Sequence, residues 1–178
     1  MAANNDRTRI PVPIIPYQTN RRAMLEAATL PPITFDYADG RMGAPGLGVW
    51  IRDLRGQGDN TPISGMHDSV FPPNVDQINF RIIWPGYEAV DNSGYIQLTK
   101  ANGTRLTRVE LGRRVADRIV LWYFDVKNKP TRSHFPLGDS QRRVTYQDMY
   151  LVRLVNTVGN VWQADIVVDR TPPPSNLP

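Results

Sequence analysis

Side chains able to do nucleophilic or acid–base chemistry are sparse in this sequence, and they fall where turns are expected. His67 and His134 are its histidines, each in a polar stretch. Ser64, His67 and Asp68 supply the residue types of a serine–histidine–acid triad, yet they lie within five residues of one another. A working triad draws its members from separate elements that converge, so the default for this trio is a surface loop. With no cysteine, disulfides, thiol catalysis and thiolate metal sites are excluded. Two histidines without sulfur leave zinc short of ligands, and no Asp-x-Asp-x-Asp-Gly loop offers calcium a site. Gly56 and Gly58 make a Gly-x-Gly pair, but without a third glycine or a following helix it does not read as a phosphate cradle. No catalytic residue, metal or cofactor is expected, and the chain does not read as an enzyme.

Binding residues are easier to nominate. Trp84, Trp122 and Trp162 lie in apolar stretches and read as core, whereas Trp50 and Tyr87, near loops, are the better candidates for an exposed aromatic platform. Residues 100–143 hold 11 Lys and Arg against 4 Asp and Glu, in a chain of net charge +4. Such a cluster attracts anions. Arg113, Arg114, Lys127, Lys129 and Arg132 are its candidate contacts, with an anionic glycan as the partner and nucleic acid not expected. The plainer alternative is the solvated outer face of alternating strands.

The elements that must carry these residues are mostly strands. Hydrophobic residues are 40% and charged residues 21% of the chain, which places it among folded rather than disordered sequences. Residues 1–32 form an extended, Pro-rich arm through Pro11, Pro13 and Pro16, followed by a short helix over 21–30 closed by Pro31 and Pro32. Residues 33–70 are loop-rich, with candidate strands at 33–37 and 47–51. Ile78, Phe80, Ile82 and Trp84 alternate with Asn79 and Arg81 to predict a strand, and a second follows at 95–99. Thr107 and Glu110 have the spacing of a capping box, which predicts a short helical turn over 107–114 with Gly112 closing it, although Leu111, Val115 and Ile119 permit a longer helix. Residues 118–126 are apolar on both alternating sides, the pattern of a strand in the middle of a sheet. Residues 142–146 offer one more strand.

The clearest signal comes last. Two β-branched and aromatic runs, 146–155 and 161–168, flank a polar, Gly-containing connection of hairpin length. The pattern Tyr150-x-Val152-x-Leu154-Val155-Asn156-x-x-Gly159-Asn160, then Val167-Val168-Asp169-Arg170-Thr171-Pro172-Pro173, resembles the end of a bacterial immunoglobulin-like domain of tandem-repeat surface proteins. In that family an aspartate-x-x-glycine-asparagine turn joins the last two strands, and a valine–aspartate–x–threonine–x–proline junction leads to the next domain. Asn156 departs from the family's aspartate. The resemblance covers roughly residues 70–174. It implies an all-β, Ig-like antiparallel β-sandwich over 71–171, at most short helices, and a Pro-rich exit linker over 172–178. The function it implies is a non-enzymatic structural or adhesive module of a larger cell-surface protein, partnered through the N-terminal arm and the C-terminal linker. The alternatives are a virion component, suggested by the arm, the positive charge and the absence of a secretory signal peptide, and a carbohydrate-binding module using Trp50 or Tyr87. No apolar run is long enough for membrane insertion.

Overall fold

The predicted C-terminal hairpin is the centre of the fold. In the computed structural model, which describes residues 8–15, 30–41, 44–88, 90, 93–140 and 142–170, it comprises β6 (Met149–Val158) and β7 (Val161–Arg170), paired antiparallel from Met149↔Val168 to Val158↔Val161. Gly159, at φ 51°, makes the tight turn. Asn156 is buried beneath it. Its Nδ2 donates to the carbonyls of Gly159 and Val161 (2.9 and 3.0 Å), and its Oδ1 accepts the Leu30 N–H (3.1 Å). An aspartate has no N–H to give, so the asparagine amide has a physical use at this turn.

Five further strands complete one mixed, seven-stranded sheet. They are β1 (Thr8–Pro11), β2 (Ile33–Thr34), β3 (Val49–Trp50), β4 (Gln77–Arg81) and β5 (Ser93–Gln97). The short β2 and β3 share the outer side of β6. On its other side β7 pairs in parallel with β4 and antiparallel with β1, and β5 pairs with β4 as an edge strand. The described part of the N-terminal arm is therefore seated in the sheet: Thr8 to Pro11 lie opposite Arg170 to Val167, and Val12 N–H bonds the Ile166 carbonyl (2.9 Å). Strands from both sides of residue 71 belong to the same sheet. The helix expected at 21–30 and the linker at 172–178 lie outside the described residues, apart from Leu30.

The predicted central strand at 118–126 is corrected. Those residues are the second half of α2 (Arg108–Val126), a 19-residue helix; α1 (Ile51–Gly56) is short. The all-β sandwich is accordingly not confirmed, because a helix joins the core and β4 pairs in parallel with β7. The capping box forms as expected at Thr107 and Glu110. Gly112 does not close the turn. A Cβ there would lie 3.0 Å from Phe35 Cε1 and 3.2 Å from Leu54 Cδ2, so this glycine lets the helix pack closely against those side chains. The helix buries Val109, Val115, Ile119, Trp122, Tyr123 and Val126 in one core with Ile78, Phe80, Ile96, Leu98, Ile166 and Val168 of the sheet. Residues 142–146 form no strand; Val144 makes an isolated bridge to Leu137. Val120 and Trp122 are buried as expected, whereas Val152 is half-buried. Among the described residues no helix is long and apolar enough to cross a membrane.

Candidate functional site on the outer side of the long helix

The binding residues nominated from sequence are scattered, and several are already engaged. Trp50 has Arg52 over its ring (3.6 Å) and Tyr150 packed against it (centroids 5.2 Å), and Arg9 lies over Tyr150 (4.6 Å). This Arg52–Trp50–Tyr150–Arg9 stack joins the corner before α1 to β1, and the Tyr150 hydroxyl donates to Asp169 (2.9 Å). Burial, then the Asp169 carboxylate, raises the Tyr150 phenol above its ordinary range. Tyr87 is buried, not exposed: its hydroxyl accepts the Leu137 N–H (3.0 Å), and its ring meets Trp122 edge-on. Neither ring is left open as a sugar platform.

The basic residues divide along α2. Arg113 and Arg114 lie near its start and Lys127 follows its end, a separation of about 20 Å at 1.5 Å per residue. Lys127 bonds Asp139 (2.5 Å) and lies over the Phe124 ring (4.8 Å). Asp139, bonded by Lys127 and then by the Tyr123 hydroxyl, is held below the ordinary carboxylate range. Lys129 and Arg132 are exposed in the loop beyond. Ser64, His67 and Asp68 are exposed in one turn, where Asp68 lies 3.7 Å from Arg108 rather than against His67. Among the described residues no group of three or more His, Asp or Glu gathers to hold a metal.

Two shallow clefts flank α2. One, of about 300 Å³, is lined by Asp59, Lys100, Glu110, Arg113, Arg114 and Asp117; the other, of about 410 Å³, by Arg52, Arg55, Arg113, Asp117 and Tyr146. Their cations are largely matched: Arg55 pairs with Asp117 (2.9 Å), Lys100 with Glu110 (2.8 Å), and Arg113 lies 3.7 Å from Asp59.

The side of α2 that meets β5 is different. Arg114 Nη1 donates to the Gln97 carbonyl (3.0 Å) and Arg118 Nη2 to the Tyr95 carbonyl (3.2 Å). Neither arginine has a carboxylate partner among the described residues. Gly94 makes room for this arrangement, since a Cβ there would lie 2.9 Å from Arg118 Nη1. Near these cations stand two exposed large hydrophobic side chains, Tyr95 on β5 at 59% exposure and Leu121 on α2 at 62%; Phe124, at 50%, lies instead against Tyr146 and Lys127. No family model, curated protein or solved structure matches the chain. The site is therefore argued from its own geometry.

Sequence reading picked out Arg114 but missed Arg118, Tyr95, Leu121 and Phe124. Arg114 and Arg118 are spaced i,i+4, and Leu121 follows three residues on, which places all three on one side of a helix. That signal is invisible when 118–126 is read as a strand.

Proposed function

We propose that the protein is a non-enzymatic structural or adhesive module that docks an acidic partner protein on the strip formed by Tyr95, Arg114, Arg118 and Leu121. The observation that supports this reading is the coincidence, along the seam between α2 and β5, of exposed apolar side chains with two guanidiniums that have no carboxylate partner among the described residues. Apolar contact gives an interface most of its affinity, and complementary charge steers the encounter and rejects wrong partners. The module's place in a larger surface assembly rests on the resemblance of its terminal hairpin to immunoglobulin-like domains.

The test compares binding to polyglutamate, duplex DNA and vesicles containing phosphatidylglycerol. Salt-sensitive binding to polyglutamate is expected, weakened about tenfold in the Arg114→Gln, Arg118→Gln double variant, as the loss of roughly 1.4 kcal/mol requires. Absence of polyglutamate binding, or stronger binding to DNA or vesicles, overturns the reading.

A further inference from the structure

We infer that the acidic partner enters as an extended strand that adds to the free edge of β5. The inference rests on the docking reading above and specifies the form its partner takes.

Among the described residues β5 pairs with β4 alone, in a register that runs from Gln77↔Gln97 to Arg81↔Ser93. Leu98 N–H bonds the Asp76 carbonyl (2.8 Å), which fixes the phase of the ladder. In an antiparallel pair the residues alternate between exchanging hydrogen bonds with the neighbour and turning both polar groups away from it. Ile96 and Gly94 therefore face β4, and Ser93, Tyr95 and Gln97 turn their N–H and C=O groups outward. The two arginine contacts corroborate this phase, because the carbonyls they reach are those of Gln97 and Tyr95. In this phase the N–H groups of Tyr95 and Gln97 point away from β4.

An open edge of this kind is a template for another strand, and charged side chains are a usual guard against unwanted pairing. Here the guard is reversible. A side-chain hydrogen bond to a backbone carbonyl is a modest net interaction, and each guanidinium that covers a carbonyl is charged with no carboxylate to satisfy it. An incoming strand would donate its own N–H groups to the Tyr95 and Gln97 carbonyls and accept from the outward N–H groups. The displaced Arg114 and Arg118 would then meet acidic side chains on the helix-facing side of that strand. Leu121 lies one turn beyond Arg118, and Tyr95 covers the opposite face, where the apolar residues of the added strand would lie. Strand addition of this type takes affinity from the main chain and selectivity from alternate side chains, so the expected ligand alternates acidic with apolar residues. Asp125, two turns beyond Arg118, ends the cationic strip and limits the acidic run.

The probe is an acetylated peptide of about eight residues alternating glutamate and valine, with two controls. One carries N-methyl groups on the alternate amides that face β5, which keeps the charge and removes the donors. The other replaces glutamate with lysine. Titration calorimetry is paired with amide exchange at Tyr95 and Gln97. The expected result is binding of the parent peptide, slowed exchange at those two amides, at least about tenfold weaker binding of the N-methylated form from the loss of two main-chain hydrogen bonds, and none of the lysine form. Equal binding of the parent and N-methylated peptides overturns strand addition while leaving acidic docking in place. Failure of the glutamate peptide to bind, when polyglutamate does bind, also overturns strand addition; failure of both overturns strand addition and docking together.

Discussion

Replacing Glu110 with glutamine tests the start of the helix that carries the site, and its outcome depends on pH. Glu110 Oε2 accepts from the Thr107 N–H (2.8 Å) and hydroxyl (3.0 Å), while Oε1 accepts from Lys100 Nζ (2.8 Å). Burial alone would raise the carboxyl's pKa, but the bonds from Lys100 and Thr107 outweigh it and hold it below the ordinary glutamate value. Glutamine can keep one acceptor oxygen on Thr107 but loses the charge opposite Lys100. A partly buried, hydrogen-bonded pair of this kind contributes on the order of 1 kcal/mol, and weakened capping adds a few tenths. At pH 7 the variant should be about 1–1.5 kcal/mol less stable, a fall in melting temperature of roughly 2–5 °C for a chain of this size. The folded-state pKa is depressed, so the carboxylate's contribution is present above the ordinary glutamate pKa and lost as pH falls through the folded value. Urea unfolding of wild type and variant should thus give midpoints that differ at neutral pH and converge in acid. Thr107→Ala, which leaves the Lys100 pair in place, should cost about 1 kcal/mol with a weaker approach to wild type in acid. An Glu110→Gln difference that stays constant with pH would refute the account of the helix start.

Three further substitutions probe the core. Trp122→Ala should cost about 3–5 kcal/mol, since Trp122 is buried against Trp84 and Tyr87; an unchanged denaturant midpoint would contradict its placement. Tyr87→Phe leaves the Leu137 N–H without its acceptor and should cost about 1–3 kcal/mol, with faster amide exchange at Leu137 as the local sign. Gly48 has φ 80°, and a Cβ on it would lie 2.8 Å from the Leu151 carbonyl oxygen; Gly48→Ala should therefore cost about 2 kcal/mol or more in urea unfolding.

The sheet was more legible in the sequence than the helix. The runs that became β6 and β7 are rich in β-branched and aromatic residues and joined by a connection of hairpin length, and β4 alternates cleanly between Ile78, Phe80 and the polar Asn79 and Arg81. Residues 118–126 failed for the opposite reason: Ile119, Val120, Trp122, Tyr123 and Val126 are all buried, so the apolar stripe of α2 is wide enough to look two-sided at period 2. Exposed Leu121 and Phe124 completed the illusion, because apolar residues that face outward for another purpose read as core. Gly112 seemed a stop signal, yet it is required by Phe35 and Leu54, which lie far away in sequence. The cationic site was half-legible. Charge density marked residues 100–143, but which cations lack carboxylates depends on partners from other elements: Asp139 occupies Lys127, Asp117 occupies Arg55, and among the described residues Arg114 and Arg118 meet backbone carbonyls of β5 instead.

The position of β7 governs how this chain can reach its native state. It follows every other described strand in the sequence, yet it borders β6, β4 and β1 in the sheet. On a ribosome, β1 and the β4–β5 pair must emerge and wait, without their main hydrogen-bonding neighbour, until residues 161–170 are made. Joining Thr8 to Arg170 closes nearly the whole described length in a single loop, the kind of long-range contact that slows folding and prolongs the exposure of unsatisfied strands. Nascent chains halted before residue 161 should therefore lack a closed sheet, however much helix they hold, and should call on chaperones for that interval.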